Sequence, residues 1–339
     1  MSNRKRLLIL VGSFGALLLL ALAVASYWPH TKNDTEEASV YAHWDKQPGD
    51  LAPGIDLVDN VRNYGLDHDL PYRFKTNSLG FRSPEPLPSA SPTIVILGDS
   101  FAFGMGVDNG ETFSDSLQSA LRKKLPSAVV HNAAVPGYSI LDQVEQWQDE
   151  LHKLNADLVI LCHTASDLKE MARPTSFRRW ARHEEDIAAR FDSEVQQLMD
   201  ASIANSMEAR APWIFTQDEL QKRLGARFQQ SLVSYLAQYG ELVVKLNEAV
   251  KRSHSKARLV VVEWVNGYGM GSLNVSSLNK RLNESQIPVF NGDSALSKQR
   301  KYSPNELYLP DKHFSAIGNQ LAGEQCATWL FAQQILNSQ

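Results

Sequence analysis

Thr93-Ile94-Val95-Ile96-Leu97 runs directly into Gly98-Asp99-Ser100-Phe101-Ala102-Phe103-Gly104, and this junction decides how the chain folds. A continuous run of apolar, β-branched residues is how a strand buried on both faces reads, because neither face calls for a polar side chain. The small Gly98 then lets the backbone turn sharply, and Ser100 stands at the rim of a sheet with a hydroxyl to offer. A serine that merely caps a helix or a turn fits the same residues. Both readings stay open at this point.

Working outward, the same pattern repeats. Helical sequence from about Thr112 to Leu125 leads to a second short strand, Ala128 to His131, and to another helix near Leu141–Leu154. Asp157-Leu158-Val159-Ile160-Leu161-Cys162 reads as a third strand. Residues from about Lys169 to Leu232 are charged, aromatic and largely helical in character, broken at Pro212, and read as an insertion over the domain. A helix to about Arg252 precedes the strand Arg258–Glu263, and the short strand Ile287–Phe290 and a final helix from Ser315 to about Leu336 close the chain. Strands alternating with helices imply right-handed crossovers and a parallel sheet, so a three-layer α/β/α fold is expected. Residues from His30 to about Ser91 are polar and rich in Pro, Asp and Asn, and read as a stalk followed by a segment that wraps the domain. The expected division is 1–26, 27–92 and a catalytic domain over 93–339 that carries the insertion.

In an open parallel sheet, ligands bind beyond the carboxyl ends of the strands. The second strand delivers Asn132-Ala133-Ala134-Val135-Pro136-Gly137-Tyr138-Ser139 there, and a glycine lets its N–H approach a reacting oxygen closely. The third delivers His163-Thr164-Ala165-Ser166-Asp167. A serine hydroxyl is a poor nucleophile near neutral pH and needs a base within hydrogen-bond reach. Nine histidines compete for that role. His30, His43 and His68 lie in the stalk or wrapping segment, and His152, His183 and His254 in charged helical surroundings. His131 sits in or beside the second strand, and His163 at the sheet edge is a real competitor. His313, in Leu309-Pro310-Asp311-Lys312-His313-Phe314-Ser315, has a carboxylate two residues away that is able to orient an imidazole and stabilise its protonated form.

Gly98-Asp99-Ser100, Gly137 within Asn132–Gly137, Ser166-Asp167 and Asp311-Lys312-His313 occur in the order of the four blocks of SGNH/GDSL hydrolases, and as an ordered set they resemble that family. Asn77-Ser78-Leu79-Gly80-Phe81-Arg82 is similar to the segment that precedes the first block in many exported, membrane-anchored members. The resemblance covers about residues 72–335, and 170–255 contributes little to it. It implies acyl-ester hydrolysis through a covalent acyl-enzyme, with Ser100 attacking, His313 moving the proton and Asp311 orienting His313. It further implies an oxyanion hole formed by the backbone N–H groups of Ser100 and Gly137 and by the residue at 166, each donor worth roughly 3–4 kcal/mol. The family places an asparagine where this chain has Ser166, and the carboxylate commonly stands three residues before the histidine, not two.

The N-terminus adds a location. Arg4-Lys5-Arg6 precedes an uncharged run from Leu7 to Ala25, followed by Tyr27 and Trp28. At 1.5 Å per residue such a run spans ~28 Å, about the thickness of a bilayer core. Basic residues on its N-terminal side keep that end in the cytoplasm, so a membrane anchor with an exported domain is expected, periplasmic or extracellular. A cleaved signal peptide ending at Ala23-Val24-Ala25 is the alternative. A net charge of −4 gives no electrostatic case for nucleic acid. The two cysteines, Cys162 and Cys326, read as buried thiols, though export permits a disulfide. Neither Cys-x-x-Cys nor His-Glu-x-x-His occurs, and Gly104-Met105-Gly106-Val107-Asp108-Asn109-Gly110 has the wrong spacing for a dinucleotide, so neither metal nor cofactor is expected. A Gly-x-Ser-x-Gly elbow is also absent. The expected partner is an acyl ester of a carbohydrate or lipid. Acyl transfer to a sugar hydroxyl by the same residues, or a weakly catalytic carbohydrate-binding scaffold, are the alternatives.

Overall fold

The computed structural model describes residues 51–61, 70–85, 91–164, 166–167, 222, 225–265, 275–299 and 301–337. The expected anchor at 1–26 lies outside them, as does the insertion at about 169–232 apart from 222 and 225–232.

A five-stranded parallel sheet forms the centre. Its strands are β3 (Thr93–Leu97), β4 (Val129–Asn132), β5 (Leu158–Thr164), β6 (Arg258–Trp264) and β7 (Val289–Asn291), in the order β4-β3-β5-β6-β7. Both β4 and β5 are buried at every position, His131 and Asn132 of β4 and His163 and Thr164 of β5 included, so the sheet is covered on both faces. Helices α1 (Ser100–Phe103), α2 (Phe113–Arg122), α3 (Ile140–Asp149), α4 (Ala226–Ser253), α5 (Ser276–Glu284), α6 (Gly292–Ser297), α7 (Pro304–Leu307) and α8 (Ala316–Ala332) connect and flank them. The α8 helix packs along α2 and α6, whereas α4 packs against α3 and α5. Side chains alternate across the sheet accordingly. His163 meets Tyr235 and Tyr239 of α4, while Trp264, in the adjacent row of the sheet, meets Phe113 of α2. The expected three-layer α/β/α fold is present.

The chain leaves β3 outward to β4 and then returns past it to β5. This reversal opens a crevice at the carboxyl end of β3, where an open α/β sheet binds its ligands. Ser100 follows β3 directly, three residues beyond Leu97.

The described part of the segment before the sheet packs onto the domain. Its strands β1 (Asp56–Val61) and β2 (Leu70–Lys75) pair antiparallel, with Tyr72 and Phe74 buried and Arg73 and Lys75 turned out to Asp56 at 2.7 and 2.9 Å. Leu51 and Ile55 join the same core.

His131 of β4 is buried against Phe81, and burial holds its pKa below the ordinary value. The folded state therefore prefers the neutral ring, whereas the unfolded chain takes up a proton near pH 6.5. Stability contributed by this residue is intact above about pH 6.5 and is lost as pH falls towards the depressed folded value. Denaturant titrations between pH 7.5 and 5 should show a smaller loss of stability in His131→Gln than in the parent. Parallel pH slopes in the two proteins would show that His131 does not contribute.

Candidate active site

Gly98 sits where a side chain does not fit: a Cβ there would come 2.6 Å from Ala102 Cβ and 3.1 Å from Cys162 Cβ. Asp99 then caps α1, its Oδ1 accepting from the Phe101 N–H at 2.9 Å, and Ser100 opens the helix at the crevice. The turn after β4 is tied to the same place, since the Val135 N–H donates to Gly98 O at 3.2 Å. Gly137, with φ of 81°, turns that loop into α3, which Ser139 and Asp142 cap reciprocally.

The third contribution comes from the loop before α8. His313 Nε2 lies 2.7 Å from Ser100 Oγ, 213 residues away in sequence. Asp311 grips the histidine twice: Oδ2 is 2.7 Å from Nδ1, and Oδ1 accepts from the His313 backbone N–H at 3.1 Å. A carboxylate reaching both the backbone N–H and the ring Nδ1 of a residue only two positions on needs a tight turn, and Lys312 supplies it at φ 77°. The close spacing noted in the sequence is thereby compatible with full ring contact. The Phe101 ring packs on the imidazole at 4.8 Å between centroids and edge-on against Phe314 at 5.5 Å, which limits rotation of the ring.

With Nδ1–H donating to Asp311, Nε2 is left as an acceptor for the serine proton. The arrangement is chemically able to deprotonate Ser100 as it attacks, hold the resulting imidazolium beside a carboxylate, and return the proton to a leaving alcohol. Ser100 is partly exposed and His313 is 15% exposed in its side chain, so a substrate carbonyl has access to the hydroxyl.

Ser166 occupies a different situation from a free donor. Its hydroxyl donates to Asp99 Oδ2 and lies 2.7 Å from Thr164 Oγ1, which itself donates to the same carboxylate oxygen at 2.6 Å. A hydroxyl has one proton, and this one is directed at Asp99. His163, the competitor base, is fully buried on the α4 side, with Nε2 3.1 Å from Tyr235 Oη and Nδ1 3.9 Å from Glu263 Oε1; it is not brought to Ser100. His152 and His254 bond backbone carbonyls of Trp147 and Ala156, and His30, His43, His68 and His183 lie outside the described residues. Cys162 and Cys326 are both free and buried, and desolvation pushes both thiols up.

The family model described as GDSL-like Lipase/Acylhydrolase matches residues 96–321, about two thirds of the chain and all of the crevice just described. Among solved structures, the chain is similar to the lipase/acylhydrolase from Enterococcus faecalis (14% identity, 73% of this chain and 98% of that one, TM-score 0.44). It is similar also to the lipase Lip_vut3 from a goat rumen metagenome (13% identity, 70% and 97%, TM-score 0.46) and to Axe2, an acetylxylan esterase from Geobacillus stearothermophilus (12% identity, 71% and 93%, TM-score 0.41). No curated protein matches it. At such identities and scores, the assignment rests on the family match: this chain belongs to the GDSL-like lipase/acylhydrolase family and is an ester-hydrolysing enzyme.

Proposed function

We propose that this chain is an exported, membrane-anchored serine esterase that removes acyl groups, acetyl among them, from a carbohydrate or lipid of the cell envelope. Ser100 is the nucleophile, His313 the general acid and base, and Asp311 the group that orients His313. The observation that carries this reading is the unbroken relay from Ser100 Oγ to His313 Nε2 and from Nδ1 to Asp311 Oδ2, at 2.7 Å for each contact. The backbone N–H groups of Ser100 and Gly137 serve the oxyanion, and residues 1–26 anchor the chain with 93–339 as the catalytic unit on the far side. The basic residues before the apolar run support that orientation, and a domain held outside the cytoplasm meets envelope glycans and lipids as its nearest esters.

The purified full-length protein should hydrolyse p-nitrophenyl acetate, and an added oligosaccharide should not compete with water for the acyl group. Transfer to the added oligosaccharide at a rate above hydrolysis would make the enzyme an acyltransferase with the same residues. Absence of both reactions in a folded protein would leave a carbohydrate-binding scaffold as the remaining reading.

Ser166 sets the strength of the oxyanion hole. An amide carries two N–H hydrogens, so asparagine at 166 is able to keep one on Asp99 and offer the second to the oxyanion. Since one such donor is worth ~10²–10³ in kcat, Ser166→Asn should raise kcat by roughly tenfold or more. An unchanged kcat would place position 166 outside the hole.

A further inference from the structure

The segment Asn77–Arg82 precedes the sheet and supplies none of the reacting groups, yet it is built around one side chain. Asn77 folds it into a compact turn, with Oδ1 accepting from the N–H groups of Leu79 and Phe81 at 2.9 and 3.0 Å. Gly80 has φ 79°, and a Cβ there would stand 2.2 Å from Leu51 O, so only glycine closes the turn without displacing the backbone. The Arg82 N–H then donates to Asn132 O at 3.2 Å, docking the turn beside the end of β4. The result is an arginine only 1% exposed.

Its guanidinium lies over the rings of Phe103, Tyr72 and Phe74, at 4.8, 5.6 and 5.8 Å. Its donors go to the chain that closes the nucleophile's helix: Nη1 to Gly104 O at 2.6 Å and Phe103 O at 3.4 Å, Nη2 to Val107 O, and Nε to Asn109 Oδ1 at 3.1 Å. Asn132 complements it from the other side, giving its amide to Ala102 O at 2.9 Å and to Phe103 O at 3.4 Å. Among the described residues no carboxylate is hydrogen-bonded to Arg82. Burial lowers its pKa to about 10, so it stays charged at neutral pH.

A buried cation without a directly bonded anion is a costly way to fill space, because an apolar side chain of similar volume would pack there without desolvating a charge. What an apolar side chain does not supply is a planar fork of donors aimed at several carbonyls at once. The α1 helix is a single turn, Ser100 to Phe103, and the last four C=O groups of any helix need partners from outside it. Whatever fixes Phe103 and Gly104 therefore fixes Ser100 one turn away.

We infer that Arg82 is a positioning residue for the nucleophile, holding the carbonyls that close α1 so that Ser100 Oγ stays within reach of His313. This rests on Ser100 being the nucleophile. A misplacement of ~1 Å costs a reaction about 10²-fold, far more than it costs binding.

The test uses the full-length protein and the variants Arg82→Met and Arg82→Lys, with kcat expressed per active site titrated by a fluorophosphonate and thermal unfolding measured alongside. Arg82→Met should lower kcat per titrated site by about 10²-fold while KM changes by less than about threefold. Arg82→Lys keeps the charge but gathers its three donors on one nitrogen, and its kcat should fall between those of the parent and Arg82→Met. A purely structural residue would lower the unfolding temperature and the titratable fraction but leave kcat per site unchanged, and that outcome overturns the inference. Should Arg82→Met not fold, Arg82→Lys decides: a kcat loss of tenfold or more supports positioning, and parental kcat contradicts it. If the parent itself hydrolyses esters without being titrated at Ser100, the nucleophile assignment falls first and this inference with it.

Discussion

Replacing Ser100 with alanine should lower hydrolysis of p-nitrophenyl acetate by about 10⁶-fold at neutral pH. In the proposed relay the Ser100 hydroxyl, 2.7 Å from His313 Nε2, is the group that forms the covalent acyl-enzyme. The next serine along this edge, Ser166, has its hydroxyl bonded to Asp99. The substitution should leave the fold intact. Ser100 Oγ bonds one side chain, His313, at a partly exposed rim, and such changes generally fall within about 0.5 kcal/mol of neutral. Circular dichroism and thermal unfolding should therefore match the parent. Retention of more than about a hundredth of the parental rate, in a preparation free of parental enzyme, would contradict the assignment.

Asp311→Asn should lower kcat by about 10⁴-fold, through the identity of a single proton. The carboxylate accepts from Nδ1, which leaves Nε2 unprotonated and facing Ser100 Oγ. An asparagine amide is able to turn its NH2 towards Nδ1, and the ring then carries its proton on Nε2, where it blocks acceptance from the serine. The second contact, from the His313 backbone N–H to Asp311 Oδ1, survives in the amide as long as its oxygen faces that N–H. The loop should therefore keep its shape, with Lys312 still at positive φ. Asp311→Ala removes both contacts and should lose stability as well as rate. Steady-state kinetics with a thermal melt for each variant separates the two effects. A loss of less than about tenfold in Asp311→Asn would mean that another group orients His313.

Much of the fold was legible because its strands are buried on both faces. Thr93–Leu97, Leu158–Cys162 and Arg258–Glu263 carry apolar runs that admit few other readings, and the structure extends the latter two by one or two residues to Thr164 and Trp264. Boundaries of helices followed their caps: Thr112 and Ser315 stand where the sequence reading began each helix, and both turn out to be the capping residues. The short helices α1, α5, α6 and α7 were not anticipated, because four to nine residues give too little periodicity to register. The ribbon of β1 and β2 was missed for a different reason. Tyr72 and Phe74 do alternate with Arg73 and Lys75, but the stretch sits in a polar, proline-rich context that outweighs the signal of a six-residue strand.

At the candidate site, the residue types and their order were readable, and their contacts were not. No local pattern shows that a carboxylate two positions from a histidine reaches its Nδ1; that depends on the backbone of Lys312. Nor does the sequence show that Ser166 and Thr164 converge on Asp99, since the pair comes from the end of a strand 65 and 67 residues further on. Arg82 was visible only as part of a motif, and its grip on Phe103, Gly104 and Val107 emerges from tertiary packing alone.

Peptide mapping by mass spectrometry after treatment with a fluorophosphonate tests the assignment of the nucleophile most directly. The covalent adduct should fall on the peptide bearing Ser100, at one equivalent per chain, in step with loss of ester hydrolysis. An adduct on any other serine, or a folded and hydrolytically active protein that stays unlabelled at Ser100, would contradict it.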